Sequence, residues 1–142
     1  MVINKVYDKG FRFQEEEFEI AHEISPRLMK LWVRAKDREY RSAMEVEPGE
    51  NPAMIEGEIF ASLYEGFNDF EILKVERENE DCIATVRFGF SFEGSDEVET
   101  WEEQLVLTKY KGDWKLHNVI YAEGRNYPTD LHTYLKNFSE EI

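Results

Sequence analysis

His117, Asn118 and Glu103 are the residues whose types and predicted placement could do proton chemistry. General acid–base work needs a carboxylate or imidazole of shifted pKa within hydrogen-bond reach of a substrate. His117 and Glu103 are the two catalytic candidates on that ground, but no spacing ties either to a second acid or base. A histidine outside any motif is more often a polar residue on a solvated strand face. No catalytic set is assigned, and the reading leans away from an enzyme.

Other chemistries fare worse. His22, His117 and His132 are far apart, and no pair has the short spacing that puts two ligands on one helix face, so no metal or other cofactor is expected. Cys82 is the lone cysteine, which rules out an intramolecular disulfide. It opens an apolar strand face, where a free thiol behaves as a small hydrophobe. The eight glycines sit singly, so no phosphate-cradling loop exists.

The elements that must position these residues divide the chain into a helical and a stranded half. Within one domain over 1–142, the helical part covers about 1–68, the sheet about 69–122 and a last helix about 129–138. Val2, Ile3 and Val6 make a short apolar stripe before Gly10, and Phe18, Ile20 and Ala21 mark a second segment. The clearest helix opens with Ser25 as N-cap and Pro26 at the first helical position. Leu28, Leu31, Trp32 and Ala35 follow at helical spacing on one face. Arg27, Lys30, Arg34, Arg38 and Arg41 occupy other faces, which makes it a basic helix. Asn51 to Asn68 reads as irregular.

The strands have sharper patterns. Phe70 to Arg77 is rich in branched residues. Cys82, Ala84, Val86, Phe88, Phe90 and Phe92 then alternate along one face, as a half-buried strand requires. Val98 to Tyr110 returns the chain with Trp101, Leu105 and Leu107 on one side, and Trp114 to Tyr121 is the last strand after a Lys111-Gly112-Asp113 turn. Short turns between successive strands imply antiparallel neighbours. The fold class is therefore α+β: N-terminal helices packed on a curved antiparallel meander of four or more strands. Thr129 is the expected cap of the short final helix, with Leu131, Leu135 and Phe138 on its inner face.

Seventeen Lys and Arg against 31 Asp and Glu give a net charge of −14. Such a field repels phosphate backbones and anionic membranes, so nucleic acid is excluded as a partner. No apolar run reaches bilayer length, and Met1 to Lys5 lacks the features of a secretory signal. The chain as written reads as cytoplasmic, and an export signal ahead of it would make it periplasmic or envelope-bound. Glu93, Asp96, Glu97, Glu99, Glu102 and Glu103 form the densest acidic cluster, around the central hairpin tip.

Three groups of residues resemble the nuclear-transport-factor-2-like superfamily, a cone-shaped α+β fold, within a bacterial branch rich in exported proteins and lipoproteins. They are Ser25-Pro26-Arg27-Leu28, then Gly57-Glu58-Ile59-Phe60 before Asp69-Phe70, and Gly112-Asp113-Trp114-Lys115-Leu116 leading to Val119, Tyr121, Leu131 and Leu135. The family's usual Asp-Pro is replaced here by Glu58-Ile59. The resemblance implies a fold and little chemistry, because one fold hosts many functions. Its spacing also puts Val119 and Tyr121 inward with Trp114 and Leu116, which strict alternation cannot do. A β-bulge near His117-Asn118 is predicted.

The leading function is a non-catalytic binding module whose concave face carries Phe88, Phe90, Trp101, Trp114, Asn118 and Tyr121 as ligand-binding residues, for a small apolar ligand. The first alternative is an acidic immunity- or inhibitor-type protein neutralising a basic protein. A small-substrate isomerase, dehydratase or hydrolase is the second alternative. A homodimer through the exposed sheet face is compatible with all of these.

Overall fold

A computed structural model describes residues 3, 7, 23–52, 69–122 and 129–140. Four strands, β1 (Asp69–Glu78), β2 (Asp81–Phe90), β3 (Glu99–Tyr110) and β4 (Asp113–Ile120), pair in sequence order as one open antiparallel sheet. Helix α1 (Pro26–Glu45) precedes them and helix α2 (Leu131–Glu140) follows. This is the expected α+β meander. At the β3–β4 turn Lys111 and Gly112 both have positive φ (53° and 89°), as a two-residue hairpin of right-handed twist demands.

Register converts the alternation of single strands into rows of touching side chains. Phe70 pairs with Phe88 and Phe88 with Trp101, while Ala84 pairs with Leu105 and Leu105 with Val119. One face of β2 and β3 is thereby buried: Ala84, Val86 and Phe88, then Trp101, Leu105 and Leu107. Leu28, Leu31, Trp32 and Ala35 of α1, with Leu131 and Leu135 of α2, join the same core. Ile3 and Tyr7 are helical and buried, in keeping with the short N-terminal stripe, and the Tyr7 ring lies 5.2 Å from that of Phe88.

The predicted bulge is present. Val106 pairs with Asn118 and Leu107 with Leu116, leaving His117 as the extra residue. Leu116 and Val119 can then both face the core although three positions apart. A second register shift, between Ile72 and Lys74 in β1, has no counterpart in the sequence reading.

Two expectations need correction. The alternating stripe does not extend to Phe92: β2 ends at Phe90, and Phe92 is 65% exposed in the hairpin loop, whose turn is closed by Ser95 N–H donating to the Phe92 carbonyl. Pairing ends there, whatever the period of the side chains. The cap of α2 is Asp130 rather than Thr129, because the Thr133 N–H donates to Asp130 Oδ1 at 2.9 Å. Thr129 is held outside the helix by its carbonyl, which accepts from the Tyr121 N–H. The readings for Phe18 to Ala21, for His22, for the Gly57 to Phe60 group and for the loop at Gly124 to Pro128 lie outside the described residues.

Candidate functional site

The bulge brings the N-terminal ends of both helices to one place on β4. On the α1 side, Ser25 N–H donates to the Leu116 carbonyl at 2.8 Å. Ser25 Oγ accepts from the Leu28 N–H at 3.2 Å, as an N-cap does, and lies 2.8 Å from His117 Nδ1. On the α2 side, Asn118 Nδ2 donates to Asp130 Oδ2 at 3.0 Å, while Asn118 Oδ1 accepts from the His132 and Val119 N–H groups. An extra residue in a strand is normally left unpaired. Here it and its neighbour bolt down two helices.

The protonation states follow from this network. Ser25 Oγ accepts the cap bond and shares a further hydrogen bond with His117 Nδ1, whose direction follows the imidazole tautomer. Burial, helped by neighbouring His132 and Arg27 and opposed by Asp81, pushes the His117 pKa below 6.5. His132 Nε2 donates to the His117 carbonyl at 2.5 Å, and the two rings meet edge to face at 4.8 Å. Burial also lowers the His132 pKa, with Arg27 adding to it and the His117 carbonyl and Asp130 opposing. For Asp130, burial pulls upward but hydrogen bonds from Thr133 and Asn118 outweigh it, leaving the carboxyl below 3.8.

A serine bonded to an imidazole resembles an activated nucleophile. Ser25 nevertheless has 2% of its surface exposed, and its oxygen accepts the α1 cap bond. The pair ties α1 to β4 in a site closed to solvent. Glu103, the other catalytic candidate, sits inward on β3 opposite Val86, 1% exposed, and its carboxylate accepts the Ala122 N–H. That bond holds the chain where it leaves β4.

The six expected ligand-binding residues are not gathered into one wall. Phe88 and Trp101 stack at 6.0 Å within the core, under Tyr7, and Tyr121 is also buried. Phe90 is half-buried and meets exposed Phe92 edge to face at 4.9 Å. Trp114 pairs with Lys109, about 26 Å along β3 from Trp101 at the strand rise per residue, where Arg77 and Lys109 lie over its ring. Asn118 belongs to the helix anchor.

A depression of about 310 Å³ opens instead between α1 and α2. Arg27, Arg34 and Arg41 line it from α1, and Lys136 from α2, with Asp37 and Glu140 interspersed. The three arginines recur every seventh residue, which keeps them on one side of the helix at intervals of about 10 Å. Arg41 is paired with Asp37 at 3.0 Å. Among the described residues, Arg27, Arg34 and Lys136 have no carboxylate within ion-pair distance. The basic character of α1 and the final helix were both legible in the sequence; that Lys136 of that helix faces the α1 arginines was not.

Compared with known proteins, the chain matches no family model, no curated protein and no solved structure. No described helix is long and apolar enough to cross a membrane. Among the described residues no group of three or more His, Cys, Asp or Glu side chains is arranged to hold a metal ion.

Proposed function

We propose that this chain is a non-catalytic binding module whose recognition surface is the basic groove between α1 and α2. The observation that carries it is the convergence of Arg27, Arg34 and Lys136, without ion-pair partners among the described residues, on one depression of a chain with net charge −14. Cations in so acidic a chain have many carboxylates to pair with. Those that face a concavity unpaired are available to an outside group. The burial of the Ser25 hydroxyl supports the non-catalytic part. Helices laid on an open antiparallel meander agree with the resemblance to the nuclear-transport-factor-2-like superfamily, which includes binding modules. A small apolar ligand on the aromatic sheet face has less support, because Tyr7 occupies the space above Phe88.

The test is retention of compounds from a metabolite extract, read by mass spectrometry after gel filtration. The wild type and Ser25→Ala should retain the same anionic species, and Arg27→Gln/Arg34→Gln/Lys136→Gln should lose them. The reading fails if the wild type retains nothing, or if the triple variant retains all that the wild type does. Conversion of a retained compound by the wild type but not by Ser25→Ala would also end it.

A second reading is favoured by the central hairpin tip. Phe92 and Val98 are 65% and 60% exposed there, flanked by exposed Glu93, Asp96, Glu97 and Glu99. Apolar anchors ringed by carboxylates suit a basic protein partner, in the manner of an immunity or inhibitor protein. Complexes with basic proteins should then weaken with salt and with Phe92→Ser. Complexes indifferent to both would remove this reading.

A further inference from the structure

Resting on the groove as the recognition surface, we propose that its ligand is a small phosphate ester carrying hydroxyl groups, with Arg34 as the central phosphate contact. Size sets the first bound. About 310 Å³ is at the lower end of small-molecule sites, which begin at roughly 300 Å³.

Charge sets the second. A long polyanion would lie partly outside the groove, within the repulsive field of a chain at −14. A compact anion inside it is within a screening length of about 10 Å of the groove cations. Arg34 is midway between Arg27 and Arg41 along α1, with Lys136 on the facing helix. Arg41 shares its charge with Asp37, so the uncompensated positive charge is centred on Arg27, Arg34 and Lys136. Planar guanidinium forks match the tetrahedral face of a phosphate through paired, charge-assisted hydrogen bonds.

The carboxylates set the third. Asp37 and Glu140 share the same lining and would repel a bare anion. They become assets only when the ligand also brings donors, since an ionised carboxylate can only accept hydrogen bonds. A phosphate on a polyhydroxylated body meets both halves of the lining. Inorganic phosphate meets one.

The experiment is calorimetric titration of the full chain at constant ionic strength with ribose phosphate, ribose and inorganic phosphate as probes. Ribose phosphate should saturate. Ribose should give no heat of binding, and inorganic phosphate should bind about tenfold more weakly, as expected for loss of a charge-assisted contact. Arg34→Gln should weaken ribose phosphate about tenfold with an unchanged circular dichroism spectrum, and Arg34→Lys should recover part of the loss. Asp37→Asn/Glu140→Gln should narrow the gap between ribose phosphate and inorganic phosphate. The proposal is overturned if ribose phosphate fails to bind, if ribose binds equally well, or if Arg34→Gln binds like the wild type. Its failure is separable from that of the groove reading. Anionic compounds of another class, retained from the extract by the wild type and lost by the triple variant, would keep the groove and discard the phosphate ester.

Discussion

His117 Nδ1 lies 2.8 Å from the hydroxyl of Ser25, across 92 positions of sequence. One side chain is the extra residue of a strand bulge and the other is the cap of a helix, so this contact fixes the start of α1 on β4. Asn118 and Asp130 do the same for α2 at 3.0 Å. Each tie fixes the start of one of the two helices that border the groove.

His117→Ala should destabilise the fold by about 1–3 kcal/mol, because it strands the buried Ser25 hydroxyl. Ser25→Ala should cost about 1 kcal/mol or somewhat more through loss of the cap. As the two share one bond, the double variant should cost less than the sum. Chemical denaturation of the four proteins measures the coupling, and strict additivity would remove the tie.

Asn118→Ala should loosen α2 selectively. Hydrogen exchange at the His132 and Thr133 amides should quicken, since the first donates to Asn118 and the second to the Asp130 carboxylate that Asn118 positions. The Leu28 amide at the start of α1 should be unaffected.

Stability should fall as pH drops through 6.5. Both His117 and His132 are held below that ordinary value in the folded chain, so the unfolded chain takes up protons first and is favoured. Above 6.5 both states are neutral at these residues and the effect is absent. Asp130 acts in a separate, lower window: its contribution is full above 3.8 and is lost as pH falls below it. Denaturation midpoints between pH 5 and 8 should slope in the wild type and flatten in His117→Gln/His132→Gln, reporting reduced proton uptake on unfolding.

Phe88→Ala should cost about 3–5 kcal/mol, the loss expected for a fully buried aromatic. Phe92→Ala, in the exposed loop, should change stability by no more than about 0.5 kcal/mol. Thermal melts of the two variants decide whether the core boundary lies at Phe90.

The sequence was informative where local period and tertiary demand coincide. Ala84, Val86 and Phe88 alternate because one face of β2 is buried, and the bulge between Leu116 and Val119 is the one that the spacing implied by the family resemblance requires. It misled at Phe92, where alternation continues after pairing has stopped at Phe90 opposite Glu99. Between adjacent cap formers, the choice of Asp130 over Thr129 was made by the bridge from Ile120 to Asp130, a contact that no local pattern encodes. The bulge at Leu73 gives no sign in composition. The role of His117 was hidden for a similar reason: its partner belongs to a different element. In the groove, the seventh-residue spacing of Arg27, Arg34 and Arg41 was open to view, but Lys136 joins them only through helix packing.

We propose that recognition occurs between the helices and not within the sheet. Amide-resolved spectra of the isotope-labelled chain, before and after addition of the metabolite extract, test it most directly. Perturbations gathered at Arg27, Leu31, Arg34, Lys136 and Ser139 are the predicted result. Perturbations confined to Phe88, Trp101 and Tyr121 would contradict it.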